Sequence, residues 1–185
     1  GATEVEVNIN DSYNTGNIQG NKSTSGGIIG NARENKAKIT KCYNKGSVTG
    51  TTVGGITGFN GKIVDCYNTG KIESNELSGS AAGGITGRFS EQIENCYNIG
   101  KIMGGDTVGG IVAQTRNEII NCYNTGKIEL RDNSSIVGGI AGQSANISNC
   151  YNESSISGNG RSISNIAGIL AMPISSETEV TKSYN

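Results

Sequence analysis

The residues of this chain with the most distinctive chemistry are five cysteines, each followed by a tyrosine and an asparagine. A thiol can act as a nucleophile, ligate a metal or form a disulfide. A tyrosine ring can stack on a sugar or on a partner protein. The five pairs are Cys42-Tyr43, Cys66-Tyr67, Cys96-Tyr97, Cys122-Tyr123 and Cys150-Tyr151.

The composition restricts this chemistry. The chain has no histidine, which excludes HExxH zinc proteases, Ser-His-Asp and Cys-His hydrolases, and histidine-ligated metals. Its 15 basic and 16 acidic residues give a net charge of −1, so no electrostatic attraction draws it to nucleic acid or anionic membrane. No apolar run approaches the ~18 residues that a membrane span requires. We therefore expect no nucleic-acid partner and no membrane span.

One sequence block, IxxCYNxGxI, recurs seven times, with serine in place of cysteine in the first and last copies. Successive tyrosines of the block lie 24 to 33 residues apart, and a second block, GGIxG, precedes each copy from the second onward. The blocks keep their internal spacing while the connections vary, which is typical of stacked strands with insertions in outer loops. The tyrosines that mark the repeats are Tyr13, Tyr43, Tyr67, Tyr97, Tyr123, Tyr151 and Tyr184.

The composition predicts that strands position these residues. Isoleucine and valine account for 33 residues against three leucines, and β-branched side chains favour strands over helix faces. We predict an all-β fold, a single-stranded parallel β-helix (β-solenoid), right-handed, with about six coils of 24–33 residues. Each coil should contain about three strands, with glycine supplying left-handed backbone at corners and in-register asparagines forming amide ladders. Residues 1–185 should form one solenoid domain, a fragment of a longer protein.

The two blocks resemble the GLUG repeat of bacterial surface proteins, including IgA1-protease-like polypeptides. The resemblance is clearest in VGGITGFNGKIVDCYNTGKI (53–72), VGGIVAQTRNEIINCYNTGKI (108–128) and VGGIAGQSANISNCYNESSI (137–156). It implies a β-solenoid segment of a secreted or wall-attached bacterial protein. It does not imply protease activity, because the zinc motif of those enzymes requires histidine.

A cysteine and the tyrosine that follows it face opposite sides of a strand, and we place the cysteines inside and the tyrosines outside. One cysteine per coil produces a line of thiols rather than a cluster converging on one point, so we expect no metal and no cofactor. In-register neighbours fit disulfide geometry poorly. We interpret the cysteine column as a structural ladder of reduced core thiols, with some disulfide formation as the alternative.

The tyrosine column has two interpretations. If the rings are exposed, Tyr43, Tyr67, Tyr97, Tyr123 and Tyr151 form a ligand or partner strip that could contact a glycan or a host or cell-surface protein. In the other interpretation the rings pack on one another and on loops and stiffen the rod. The position after each YN pair holds threonine in three coils, but lysine, isoleucine and glutamate interrupt the regular array that ice binding needs.

A lysine column is predicted from Lys71, Lys101 and Lys127, which share one position in three successive coils. Glutamates stand two residues further on in two of these coils, at Glu73 and Glu129. Stacked like charges are unfavourable unless they are solvated or interleaved with opposite charges. We therefore expect a solvated face with lysine–glutamate contacts, and a polyanion-binding stripe is the alternative.

The carboxylates give little support for catalysis. Parallel β-helices that act on polysaccharides need carboxylates on adjacent coils, whereas those of this chain are scattered. The position before Cys or Ser in the block holds aspartate twice, asparagine three times and lysine twice, and we interpret it as a corner. Carboxylates in the variable loops include Glu34, Glu76, Asp106 and Asp132.

These observations predict a non-enzymatic structural or adhesion module of a bacterial secreted or cell-surface protein. It would act as a rigid spacer or a binding surface, located outside the cell. The alternative is a carbohydrate-binding or polysaccharide-processing β-helix. Open strand edges at the two ends would also allow end-to-end self-association.

Overall fold

The computed structural model describes residues 7–32, 37–76, 78–131, 135–144, 146–158 and 163–185. These residues form an all-β solenoid without a helix, in which five parallel sheets run along the stack. We name them sheets A to E in the order in which the chain visits them, and one passage through all five is a coil. The chain makes about six coils, which confirms the all-β parallel β-solenoid predicted from the repeats, while its right-handedness stays a prediction.

Sheets A and B carry the cysteine-tyrosine block. Sheet A consists of β1 (Val7–Asn10), β6 (Ala37–Thr40), β11 (Lys62–Val64), β16 (Gln92–Glu94), β21 (Ile119–Ile120), β26 (Ile147–Ser148) and β31 (Val180–Thr181). Sheet B consists of β2 (Tyr13–Asn14), β7 (Tyr43–Asn44), β12 (Tyr67–Asn68), β17 (Tyr97–Asn98), β22 (Tyr123–Asn124) and β27 (Tyr151–Asn152). A parallel bridge from Tyr151 to Tyr184 extends the sheet B stack by one level.

Sheets C, D and E complete each coil. Sheet C consists of β3 (Ile18–Gln19), β8 (Val48–Gly50), β13 (Ile72–Ser74), β18 (Ile102–Gly104), β23 (Ile128–Leu130) and β28 (Ile156–Ser157). Sheet D consists of β4 (Thr24–Gly26), β9 (Thr52–Gly54), β14 (Ala81–Gly83), β19 (Thr107–Gly109), β24 (Ile136–Gly138) and β29 (Asn165–Ala167). Sheet E consists of β5 (Ile29–Asn31), β10 (Thr57–Phe59), β15 (Thr86–Arg88), β20 (Val112–Gln114), β25 (Ala141–Ser144) and β30 (Leu170–Pro173).

The expectation of about three strands in each coil is wrong, because a full coil contains five strands of two to four residues. The difference lies around the GGIxG block, where the segments on both sides of the glycine pair form strands of sheets D and E. Backbone groups of the turn itself also bond to the next coil, as in the 3.2 Å bond that Gly55 N donates to Gly84 O. The hydrogen bonds between coils therefore continue from the strands into the turns.

The register places equivalent residues directly above one another. Tyr67 pairs with Tyr43 on one side and Tyr97 on the other, and Ile63 pairs with its counterparts in the same way. Each position of the repeat therefore becomes a column along the rod. Any chemistry that one residue offers is repeated once per coil.

The sequence predicted that the recurrent glycines supply the left-handed corners, and this prediction is wrong. The corners belong to the residue before Cys or Ser, whose φ is 46 to 54° in all seven copies. Asparagine and aspartate tolerate this conformation better than other non-glycine residues. We call these residues the corner column: Asp11, Lys41, Asp65, Asn95, Asn121, Asn149 and Lys182.

The recurrent glycines are required for close approach instead. A Cβ atom on Gly84 would lie 2.1 Å from Gly110 O and 2.5 Å from the side chain of Asn98. The second glycine of each of the five GG pairs meets an asparagine of sheet B in this way, and Gly168 of the last, degraded copy meets Asn185. Glycine is therefore selected at this position because a side chain has no space there.

The interior contains two apolar compartments. The larger holds the sheet A isoleucines, the cysteines and the isoleucine of each GGIxG block, and the smaller holds isoleucine, valine and alanine of sheets C and D. Buried asparagines of sheet B, such as Asn98, contact the GG glycines between the two. This amide column and the apolar compartments fix the orientation of the neighbouring cysteines and tyrosines.

Candidate functional site

The five cysteines lie inside, as predicted, and all are free thiols with at most 1% of their surface exposed. Each is bonded to backbone atoms: the Cys96 thiol donates to Glu94 O at 3.1 Å, and Cys96 N donates to Cys122 Sγ at 3.4 Å. Burial raises the pKa of the Cys96 and Cys122 thiols well above their usual value. These thiols therefore stay protonated at neutral pH, which makes them poor nucleophiles.

The rest of the described chain offers no obvious metal centre. Among the residues that the structure describes, no three histidine, cysteine, aspartate or glutamate side chains converge on one point. Asp106 is used locally, since its Oδ2 accepts a 3.0 Å hydrogen bond from Gly79 N. Glu34 and Asp132, two of the loop carboxylates, lie outside the described residues.

The asparagines of the YN pairs form a continuous amide ladder. In each of six steps the Nδ2 of one asparagine donates to the Oδ1 of the next at 2.7 to 2.9 Å. The amides also bond within their own coil, as in the 2.8 Å bond from Asn98 Nδ2 to Gly100 O. We call this the asparagine ladder: Asn14, Asn44, Asn68, Asn98, Asn124, Asn152 and Asn185. It confirms the amide ladders expected from the sequence.

The seven tyrosines form an unbroken stack on the outer side of sheet B. Ring centroids are 4.9 Å apart in the four middle steps and 5.1 and 5.3 Å apart at the two ends, with interplanar angles of 2 to 7°. The rings pack on one another, as one of the two interpretations predicted. The five inner tyrosines are half-buried, whereas Tyr13 and Tyr184 are 62% and 59% exposed. The role of Tyr43, Tyr67, Tyr97, Tyr123 and Tyr151 as a ligand or partner strip stays a prediction.

The surroundings of the tyrosine stack differ along its length. Lys45 Nζ lies 5.0 Å from the centroid of Tyr43, within reach of a cation–π interaction. Burial, together with neighbouring tyrosines, raises the pKa of Tyr97 and Tyr123. Their phenol hydroxyls therefore remain protonated across the neutral range.

The lysine column makes the predicted lysine–glutamate contacts. Lys71 Nζ lies 2.5 Å from Glu73 Oε2, and Lys101 and Lys127 approach the two carboxylate oxygens of Glu129 at 2.7 and 3.0 Å. Arg131 also pairs with Glu73. The hydrogen bond from Lys71 is the main cause that lowers the pKa of Glu73. Lys71, Lys101, Lys127 and Arg131 share the two carboxylates of Glu73 and Glu129, so positive charge remains in excess here, and the polyanion-binding stripe stays an alternative prediction.

Sequence reasoning missed a second amide ladder, on the outside. In the corner column, Asn95 Nδ2 donates to Asp65 Oδ1 at 3.0 Å, Asn121 Nδ2 to Asn95 Oδ1 at 3.1 Å, and Asn149 Nδ2 to Asn121 Oδ1 at 2.6 Å. The signal was present in the recurrence of asparagine and aspartate at one position. It became a ladder only once the register was known.

Comparisons with family models, curated proteins and solved structures find no match for this chain. The described part of the chain contains no helix long and apolar enough to cross a bilayer. The parallel sheets and the residue columns place the chain in the structural class of the parallel β-solenoids.

Proposed function

We propose that this chain is a non-enzymatic structural or adhesion repeat module of a bacterial secreted or cell-surface protein, where it serves as a rigid spacer that carries a binding surface. The observation that supports this most directly is the continuity of the axial columns. The tyrosine stack and the asparagine ladder run through all seven levels without a break. Bending or stretching the rod would have to break bonds in several sheets at once, which makes the stack stiff along its axis.

The side chains favour a structural role over catalysis. The five thiols are buried, burial keeps those of Cys96 and Cys122 protonated, and the lysines of the column contact glutamates. The interior asparagine amides bond to one another and to backbone atoms. The cysteines, lysines and interior asparagines thus make their contacts within the solenoid, whereas the tyrosines of the outer column remain available to a partner.

The proposed location rests on the resemblance to GLUG repeats. A long stack of short coils suits a protein that must hold another domain away from a surface, because length grows by a fixed amount with each coil. Detection of the chain on intact cells of its natural host, by antibody and by sensitivity to added protease, would test the location. A protein found only inside the cell would contradict it.

The spacer role is tested by changing the number of coils. Duplicating residues 97–122, one coil from Tyr97 to the residue before the next tyrosine, should lengthen the rod by about 4.8 Å without loss of cooperativity in unfolding. Small-angle X-ray scattering of the original and the extended chain measures this increment. A chain that scatters as a flexible coil, or that does not lengthen, would contradict the proposal.

A further inference from the structure

The stacking of the tyrosines restricts what the strip can bind. Each inner ring has another ring on both faces, with centroids 4.9 to 5.3 Å away. Between Tyr43 and Tyr151 no ring face is therefore open to a sugar ring or to an aromatic side chain. The strip presents ring edges and phenol hydroxyls instead.

The hydroxyls form a row of unused hydrogen-bonding groups. In the described part of the chain, none of the seven phenol oxygens donates or accepts a hydrogen bond. A phenol hydroxyl can both donate and accept, so the row offers the same pair of functions at every coil. Because the rings are held parallel, these groups are held in place before any ligand arrives, which reduces the entropy lost on binding.

The flanks of the row are neutral at its centre. On one side, next to Tyr97 and Tyr123, lie the exposed amides of Asn95 and Asn121. On the other side, two residues after each tyrosine, lie Ile99 and an exposed threonine. Hydroxyls, amides and a small apolar surface without charge match an uncharged ligand that is rich in hydroxyl groups.

The spacing discriminates among polymers that could lie along the row. An extended peptide presents equivalent groups every two residues, about 6.6 Å apart, which does not match the 4.9 Å between rings. Nucleic acid requires a track of cations, and the chain has a net charge of −1. Successive sugars of an extended β-linked glycan lie about one ring length apart, close to the rise of one coil. Neighbouring sugars present opposite edges, and a phenol hydroxyl, which both donates and accepts, can bond to either edge.

We propose that the tyrosine hydroxyl row, together with the amides of the corner column beside it, binds a linear neutral β-linked glycan that lies parallel to the rod axis, with one sugar at each coil. This inference rests on the proposed function, because it assigns a ligand to the binding surface of the spacer. Binding is edge-on, through hydroxyls and amides, and uses no stacking on ring faces.

The test uses the whole chain and neutral glucan and chitin oligosaccharides of increasing length, with binding measured by calorimetry. Affinity should rise with ligand length until the oligosaccharide spans the row. The triple variant Tyr67→Phe, Tyr97→Phe, Tyr123→Phe keeps the rings and their stacking but removes three hydroxyls, and should weaken binding roughly 10- to 100-fold. The control variant Thr49→Val, Ser155→Ala, Ser157→Ala removes three hydroxyls outside sheet B and should bind as the original chain does.

Three results would overturn the inference: no binding to any of these glycans, equal binding by the phenylalanine variant, or hydroxyl-dependent binding of an extended peptide instead. Near-ultraviolet circular dichroism of the stacked rings establishes that the variants keep the column. A failure to bind glycan is distinguishable from a failure of the proposed spacer function. A rod that still lengthens with each added coil would retain the spacer role, whereas a flexible chain would contradict that role itself.

Discussion

Two amide ladders run side by side along this solenoid, one buried and one exposed. Their hydrogen bonds have similar lengths, 2.7 to 2.9 Å in the asparagine ladder and 2.6 to 3.1 Å in the corner column. The inner position holds asparagine at all seven levels and is buried at the five from Asn44 to Asn152. The exposed position holds aspartate, asparagine or lysine.

The difference shows that burial, rather than the hydrogen bond itself, determines how strictly the sequence is specified. At the corner, water replaces any missing partner, so the ladder can be interrupted at little cost in stability. Inside, an unpaired amide between two apolar compartments has no alternative partner and loses most of its hydration. The comparison therefore predicts large effects for interior substitutions and small ones for equivalent exterior substitutions.

The largest expected effect is at the glycine that faces the buried ladder. Gly84→Ala places a Cβ atom 2.1 Å from Gly110 O, a backbone atom that cannot move without displacing the next coil. We expect a loss of more than about 4 kcal/mol in the free energy of unfolding, or no folding at all. The control is Gly79→Ala, where φ is +65° and nothing lies within 4 Å of the added atom.

The Gly79→Ala control should lose only about 1 kcal/mol, the cost of a left-handed alanine. Urea unfolding followed by circular dichroism measures both variants. Equal losses would mean that the lack of space beside the asparagine ladder does not explain the recurrent glycines.

The second prediction compares the two ladders directly. Asn98→Ala removes hydrogen bonds to Asn68, Asn124 and the backbone of Gly100, all buried, and should reduce the free energy of unfolding by about 3 kcal/mol. Asn95→Gly interrupts the exposed ladder while accepting the φ of 52° without strain, and should cost less than about 1 kcal/mol. Thermal and urea unfolding of both variants distinguish them, and similar losses would contradict the role assigned to burial.

Much of this arrangement could be predicted from the sequence because the repeat fixes the register. Alternation places Cys66 and Tyr67 on opposite sides and Cys66 on the side of Ile72, six residues on, which predicted the cysteine inside and the tyrosine outside, and the structure confirms this. The spacing of Lys71 and Glu73 predicted a contact within one coil, and that contact is present. Alternation and repeat spacing are local signals, so one sequence is sufficient to detect them.

The parts that failed depend on contacts between coils. A recurrent glycine such as Gly84 indicates either a left-handed backbone or a lack of space, and the sequence alone does not separate these causes. The sequence also does not show which ring faces remain open, so the stack around Tyr97 could not be distinguished from an open aromatic strip. The bond from Lys101 to the glutamate of the next coil likewise depends on the register between coils.

The third prediction extends the comparison to the buried thiols. Burial raises the pKa of Cys96 in the folded chain, whereas the unfolded thiol ionises near its usual value. The stabilisation is present below the unfolded pKa and is lost as pH rises, because only the unfolded chain then releases the proton. From pH 7 to about pH 10 this thiol should account for a loss of about 2 kcal/mol, with an unfolded pKa of about 8.5.

The thiol contribution is isolated by comparing Cys96→Ala with the original chain. The variant has lower stability at pH 7 because it leaves a small cavity, but its stability should fall less steeply between pH 8 and about pH 10. Urea unfolding at each pH provides the slopes. Parallel slopes would show that Cys96 ionises equally easily in the folded and unfolded chains, which contradicts a sealed interior.

The smallest effect is expected on the outer surface of sheet C. The hydrogen bond from Lys71, together with the ion pair to Arg131, lowers the pKa of Glu73 in the folded chain. The ionised Glu73 therefore stabilises the folded chain above the unfolded pKa of about 4.3, and this stabilisation is lost as pH falls through the pKa of the folded chain. Glu73→Gln should cost less than about 1 kcal/mol at pH 7 and should make stability less dependent on pH below about 4.3. The control Glu76→Gln, which removes no ion pair with the described residues, should leave the stability at pH 7 unchanged. A loss at pH 7 as large as that of Asn98→Ala would mean that an exposed ion pair stabilises the rod as much as a buried amide, and the distinction between the inside and the outside of the solenoid would no longer hold.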